Sequence, residues 1–275
     1  MASLTYLIPR IIRHCMPPAL VRLLLERRWI IRPGYETSDP LTAVQRYQLA
    51  LEQYQASLTG KRVMIFGYGG NYAVACHLLQ LGASHVVLVE QAGFPESRAN
   101  EALLPAFPQY VEAAGKSVRP RPEYMTVLHQ DIHAIARQRA VEPVDIVLTS
   151  SVYEHLPQVE SITAALAQLT APDGVHVHFI DLRDHYFRYP FEMLTFSETV
   201  WRRWLNPTSN HNRCRYEQYQ QVFRDHFARV AVTPIASDPA AFAIARPRIL
   251  PQFLSGDDAL DAVTEIQVFA AVPLP

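Results

Sequence analysis

The first clear period along the chain is helical. Leu41, Val44, Tyr47, Leu51, Tyr54 and Leu58 recur at steps of three and four residues. Ser38-Asp39-Pro40 precedes them as a helix start with proline in the first turn, and Gly60 closes the stripe. Beyond Gly60 the pattern changes to short apolar runs: Val63–Phe66, Val86–Val89, Tyr124–Leu128, Val144–Thr149 and Val175–Ile180. These read as strands. Tyr72–Leu81, ended by Gly82, and Val159–Leu169, with Val159, Ile162, Leu166 and Leu169 on one face, read as helices between them. Pro172-Asp173-Gly174 is a turn before the fifth strand. Strands that alternate with helices predict a parallel sheet covered on both faces. Ala228–Ile235 and Thr264–Val272 predict a final hairpin-like pair with no long helix between its members.

Residues 1–33 differ from the rest. Arg10, Arg13, Arg22, Arg27, Arg28 and Arg32 face only Glu26, among Leu20, Leu23, Leu24, Leu25, Trp29 and Ile30. Such a segment suits short helices docked on the main domain; it also suits a peripheral membrane contact through residues 1–33. The expected division is an N-terminal helical appendage over 1–59 and a main domain over 60–275. The 275 residues and 49% hydrophobic content allow a full core. A formal net charge of -1 gives no overall attraction to nucleic acid. Cys15, Cys76 and Cys214 lie far apart, without metal-binding or disulfide spacing, and fit a reducing cytoplasm. No run of about 20 apolar residues predicts a membrane span.

The chemistry begins where the first strand ends. Gly67, Gly69 and Gly70 form a turn between a buried strand and a helix whose N-terminus offers unpaired N–H groups. Glu90 ends the second strand, 23 residues after Gly67, where a carboxylate can accept hydrogen bonds from both hydroxyls of a ribose. Dinucleotides and S-adenosylmethionine all suit this geometry. Tyr72 occupies the last glycine position of the dinucleotide pattern, and no P-loop ending is present.

Taken together, Gly67–Asn71, Glu90, "HQDI" at 129–132, "VDIVLTSSVYEHL" at 144–156 and "APDGVHVHFIDLRDH" at 171–185 resemble a class I S-adenosylmethionine-dependent methyltransferase, over about residues 60–275. "NHNRCRYEQYQQVF" at 210–223 resembles a tail segment of a bacterial branch of that family. The resemblance implies an α/β, Rossmann-like doubly wound, mostly parallel seven-stranded sheet with an antiparallel last strand, plus N-terminal helices. It implies S-adenosyl-L-methionine as cofactor, held by Gly67, Gly69, Gly70, Asn71, Glu90, Gln91, Asp131, Ile132, Ser150 and Ser151. Two positions depart from the family pattern: Ile65 stands where an acid is usual, and Asn71 where the last glycine is usual.

On the acceptor side, His185, Asp181 and His155 follow strand ends and are the candidate acid–base groups. The long segment of about 182–228 is more than a connection needs and is expected to cap the acceptor pocket. Tyr153, Tyr186 and Trp201 would give it an aromatic wall, and Arg213 and Arg215 would suit an anionic small-molecule acceptor. His176 with His178, and His129 with His133, read as packed or solvated side chains, so no metal is expected. The sequence leaves two alternatives to a methyltransferase: a non-catalytic S-adenosylmethionine-binding partner subunit and an NAD-dependent oxidoreductase.

Overall fold

A computed structural model describes residues 4–17, 20, 39–91, 97–115, 117–185, 188–206 and 211–274. Tyr186 and most of the arginine-rich N-terminal stretch lie outside the described residues. In chain order the helices are α1 (Leu4–His14), α2 (Pro40–Gln53), α3 (Ala73–Gln80), α4 (Ser97–Glu101), α5 (Ile132–Gln138), α6 (Val159–Gln168), α7 (Glu198–Val200), α8 (Tyr216–Arg224), α9 (Pro239–Ala245) and α10 (Asp258–Asp261). The strands are β1 (Arg62–Phe66), β2 (His85–Val89), β3 (Val111–Ala114), β4 (Ser117–Pro120), β5 (Met125–Leu128), β6 (Val144–Ser150), β7 (Thr170–Asp181), β8 (Phe227–Ser237) and β9 (Val263–Pro273).

Seven strands form one sheet in the order β5-β2-β1-β6-β7-β9-β8. β1, β2, β5, β6 and β7 pair in parallel, and β9 runs antiparallel between β7 and β8. The order reverses between β1 and β6, so the crevice beyond their carboxyl ends is the switch point where such sheets take ligands. Continuous apolar strands are explained by burial on both faces. In β1, Val63 and Ile65 join one core and Met64 and Phe66 the other. The first core is completed by α2 and α3, the second by α6 and α8. Each such side chain contributes about 1.5–3 kcal/mol by leaving water.

Several predicted boundaries shift for local reasons. α2 begins as expected, with Asp39 accepting from the Thr42 N–H, but ends at Gln53 rather than at Gly60. Gln55 takes a left-handed φ of 58°, and the Ala56 N–H turns back to the Leu51 carbonyl. The buried stripe is Ala43, Val44, Tyr47, Ala50 and Leu51, whereas Leu41 is exposed. These residues share a core with the sheet, so α2 packs on the main domain. β7 starts earlier than predicted, yet its register with β6 jumps between Val144 and Ile146, so residues 171–174 bulge where the turn was expected. The β3–β4 hairpin and α4 fill the stretch between β2 and β5, for which no element was predicted.

The segment after β7 divides in two. α8 packs Tyr219 and Phe223 on the sheet, while Phe191, Met193, Leu194, Trp201 and Leu205 form a third apolar cluster with Phe242 and Ile249. α1 docks on that cap. Its Tyr6 is fully buried, stacks on Phe196 and donates to Asp184; Arg10 pairs with the same carboxylate and donates to the Leu205 carbonyl at 2.6 Å. Leu4, Ile8, Ile11 and Ile12 stay exposed on the other side of α1. Among the described residues no helix is long and apolar enough to cross a membrane.

Candidate active site

One side of the switch point is built from the tips of β1 and β2. The Gly67 N–H donates to the Val89 carbonyl at 2.8 Å, which extends the β1–β2 ladder to the start of the glycine turn. Gly67, Gly69 and Gly70 all take positive φ, at 82°, 65° and 81°. Gly67 faces a second constraint: a Cβ there would lie 2.4 Å from Val152 Cγ2. The loop after β6 therefore rests directly on the glycine turn. Gly67→Ala is expected to destabilise the protein by about 1–3 kcal/mol through backbone strain and the clash with Val152. Urea titration checks this; a variant as stable as the parent would contradict the packing described.

Glu90 stands across the turn. Its Oε2 accepts from the Gly69 N–H at 3.3 Å, so the carboxylate spans the mouth between the two strand tips. Gln91, next to it, is exposed. The turn itself is pinned by a residue that sequence reasoning missed. Asn100, buried in α4, accepts from the Tyr72 N–H and donates to the Gly70 carbonyl, both at 2.9 Å. Asn71 caps α3 through the Ala73 N–H at 2.9 Å. Tyr68 and Tyr72 turn inward to the core, so the bulk of Tyr72 does not fill the crevice. Asp131 caps α5 with Oδ1, which accepts from the His133 and Ala134 N–H groups. Ile132 beside it is buried. Ser150 is buried at the end of β6, and Ser151 takes a left-handed φ of 55°, which bends the chain toward Gly67.

A cavity of about 310 Å³ opens at the opposite end of the sheet, among Tyr54, Lys61, Asp145, Asp173 and Arg229. It lies at the amino ends of β1 and β6, away from the switch point, and we do not assign the ligand to it.

Beyond the ends of β6 and β7, polar groups gather from three separate segments. The Glu154–His155 turn follows β6, His185 follows β7, and His211 lies before α8. The His155 and His185 ring centroids are 4.7 Å apart; those of His185 and His211 are 4.8 Å apart. Burial pushes the Glu154 carboxyl well above the usual range, and desolvation, then the neighbouring imidazoles, holds His211 well below it. His185 is lowered likewise, by desolvation and then by His155, although part of the residue stays exposed. Asp181 is bound by Arg183, through Nε at 2.9 Å and an NH₂ group at 2.7 Å, and Asp184 by Tyr6 and Arg10. Both aspartates are thus engaged in ion pairs, and the side chains gathered beside them are Glu154 and the three imidazoles.

The structure corrects the expected acceptor contacts. Tyr153 is fully buried, with its hydroxyl 3.2 Å from that of Thr163. Trp201 is buried and donates to the His211 carbonyl at 3.1 Å. Arg213 donates to the Met193 and Phe196 carbonyls and pairs with Glu198. Arg215 donates to the carbonyls of Leu182, Asp261 and Val263, each at 2.8 Å; burial pushes its pKa down to about 10. Trp201, Arg213 and Arg215 brace the cap from within through backbone carbonyls, and Tyr153 packs in the core of the sheet. His176 and His178 are fully buried and form a chain with Thr170 and Thr149, so they serve the sheet.

No family model matches the sequence, and no curated protein does. The structure aligns with a putative sarcosine dimethylglycine methyltransferase from Galdieria sulphuraria at a TM-score of 0.51 and 12% identity, over 91% of this chain and 97% of that one. The chain has the class I S-adenosylmethionine-dependent methyltransferase fold. It is also similar to an S-adenosylmethionine-dependent methyltransferase from Mesorhizobium loti (17% identity, 81% and 96% of the two chains, TM-score 0.47). Similarity extends to a citrinin polyketide synthase CMeT domain at 13% identity and a TM-score of 0.48. That match covers 84% of this chain, which spans only about half, 52%, of the domain's own chain. In this fold the glycine turn touches both Glu90 and the loop after β6 at the switch point of the sheet.

Proposed function

We propose that the protein transfers a methyl group from S-adenosylmethionine to an oxygen or nitrogen of a small acceptor. The observation that carries this reading is the placement of the Glu90 carboxylate across the glycine turn, 3.3 Å from the Gly69 N–H, at the switch point of a methyltransferase-type sheet. Glu90 would accept from both ribose hydroxyls, with Gly67, Gly69, Gly70 and Asn71 shaping the turn. Gln91, Asp131 and Ile132 would border the adenine, with Asp131 Oδ2 the oxygen not used in the α5 cap. Ser150 and Ser151 would stand near the transferring methyl.

In the transfer the acceptor's lone pair forms the new bond to carbon. The carbon–sulfur bond breaks toward sulfur, and the sulfonium becomes a neutral thioether. The protein's main task is to align the three atoms, which can supply about 7–11 kcal/mol in well-oriented cases. His155 and His185 are the side chains that would meet the acceptor, either at its proton or at its reacting atom; Asp181 orients the loop through Arg183. The anionic-acceptor idea loses its support, since Arg213 and Arg215 are spent on carbonyls.

Calorimetry tests the reading. S-adenosylhomocysteine is expected to bind the full chain and NADH is not; the reverse pattern would overturn it. His185→Ala is expected to lower turnover about a hundredfold or more with little change in S-adenosylhomocysteine affinity. Ile65, fully buried where the family has an acid, favours the partner-subunit reading as the second choice. Cofactor binding without methylation of any compound in a broad acceptor screen would select it.

A further inference from the structure

We infer that Glu154, His155, His185 and His211 form a binding site for a divalent transition-metal ion. One ligand atom each from Glu154, His155 and His185 lie within 4.8 Å of one another. His211 stands beside this group, its ring centroid 4.8 Å from that of His185 and 5.7 Å from that of His155.

Among the described residues, the side-chain polar atoms of Glu154 and His211 have no hydrogen-bond partner. Glu154 is 1% exposed, and neither carboxylate oxygen makes a hydrogen bond of acceptable geometry; the nearest donors are its own N–H and that of Asp181. His211 is 4% exposed, and both ring nitrogens lack partners. A buried polar group left unsatisfied costs about 1–3 kcal/mol. Four such atoms beside two further imidazoles are hard to explain as packing.

The backbones that carry these side chains are held firmly. The Asn212 N–H donates to the Glu154 carbonyl at 2.9 Å, and its side chain donates to the Tyr153 and Leu156 carbonyls. The His211 carbonyl accepts from Trp201 Nε1 and Asn206 Nδ2, and its N–H donates to Asn206 Oδ1. His185 follows Asp184, which α1 fixes through Tyr6 and Arg10. A fixed frame with the ring nitrogens of His211 and the carboxylate of Glu154 unengaged among the described residues is what a metal site requires. Of the nearby guanidiniums, Arg10 and Arg183 are neutralised by Asp184 and Asp181, and Arg215 directs its donors to the carbonyls of Leu182, Asp261 and Val263.

The donor set selects the ion. Imidazoles with one carboxylate suit Zn²⁺, Fe²⁺, Co²⁺ or Ni²⁺, whereas Mg²⁺ and Ca²⁺ prefer oxygen ligands. With three or four protein ligands, at least one position stays open in a five- or six-coordinate ion. An acceptor that offers an oxygen could complete such a position. This use of the ion rests on the methyl-transfer reading; its binding does not.

Metal-stripped full-length protein titrated with Zn²⁺ alone is expected to bind one equivalent and to melt at a higher temperature. Co²⁺ should give visible bands characteristic of imidazole coordination. Glu154→Gln, which is isosteric, and His185→Ala should each weaken Zn²⁺ binding at least about tenfold while circular dichroism stays unchanged. Absence of stoichiometric Zn²⁺ binding, or equal affinity in folded variants, would overturn the site. Protein that binds S-adenosylhomocysteine but no Zn²⁺ refutes this inference alone; the opposite result refutes the proposed function alone.

Discussion

Replacing Glu90 with alanine is expected to weaken S-adenosylhomocysteine binding by about ten- to a hundredfold and to leave the stability of the ligand-free protein almost unchanged. The reason is the different use of the carboxylate in the two states. Without ligand it accepts one long hydrogen bond from the Gly69 N–H at a partly open position, which contributes little. With the nucleoside bound, it would accept two charge-assisted hydrogen bonds from the ribose. Hydrogen bonds to charged groups are worth about 1.5–3 kcal/mol, and 1.4 kcal/mol is tenfold in affinity. Glu90→Gln keeps one acceptor and the shape, so its loss should be intermediate. Calorimetry on the two variants, beside chemical denaturation of each, measures both halves. An alanine variant with parental affinity would remove the sugar contact from this residue.

Arg215→Met is expected to destabilise the protein by about 3 kcal/mol or more, since three buried carbonyls would lose their donor. For a chain of this size that corresponds to a fall of roughly 6–12 °C in melting temperature. The carbonyls belong to Leu182, just after β7, and to Asp261 and Val263, at the join of α10 and β9. A single planar fork thus ties two neighbouring strand ends together beneath the cap. Arg215→Lys should recover only part of the loss, because one ammonium cannot reproduce the fork geometry. Thermal melting and acceptor kinetics separate this role from substrate contact. A variant with parental stability and a raised KM would mean that the arginine meets the acceptor after all.

The contrast between these residues shows which features the sequence makes legible. Glu90 and the glycine turn are close in sequence, and each lies at the end of a short apolar run, so their position in a parallel sheet follows from pattern alone. The strands read clearly because burial on both faces makes them continuous apolar stretches. Val111–Ala114 and Ser117–Pro120 did not read as strands, since a short hairpin with one solvated face has neither length nor apolar content. The end of α2 was misplaced because Tyr54 and Leu58 continue its period past the left-handed turn at Gln55.

The histidine cluster is less legible. His155 and His185 stood out by following strand ends, but His211 lies in a different segment, and only folding brings its ring to His185. Its one signal was its place beside Asn212 in the "NHNRCR" run. Residue type placed Arg213 and Arg215 on the ligand; tertiary packing places them under the cap, where carbonyls of distant loops converge on them. Burial of a long cation is a property of what surrounds it, and no local pattern encodes that.

The most direct test of the whole account is a crystal structure of the full-length protein grown with S-adenosylhomocysteine. The account predicts the nucleoside over the turn at Gly67–Gly70, both ribose hydroxyls within hydrogen-bonding distance of Glu90, and the sulfur directed toward Ser151 and the imidazoles beyond it. Density for the nucleoside at the amino ends of the strands, or over the turn with Glu90 rotated away from the sugar, would contradict it.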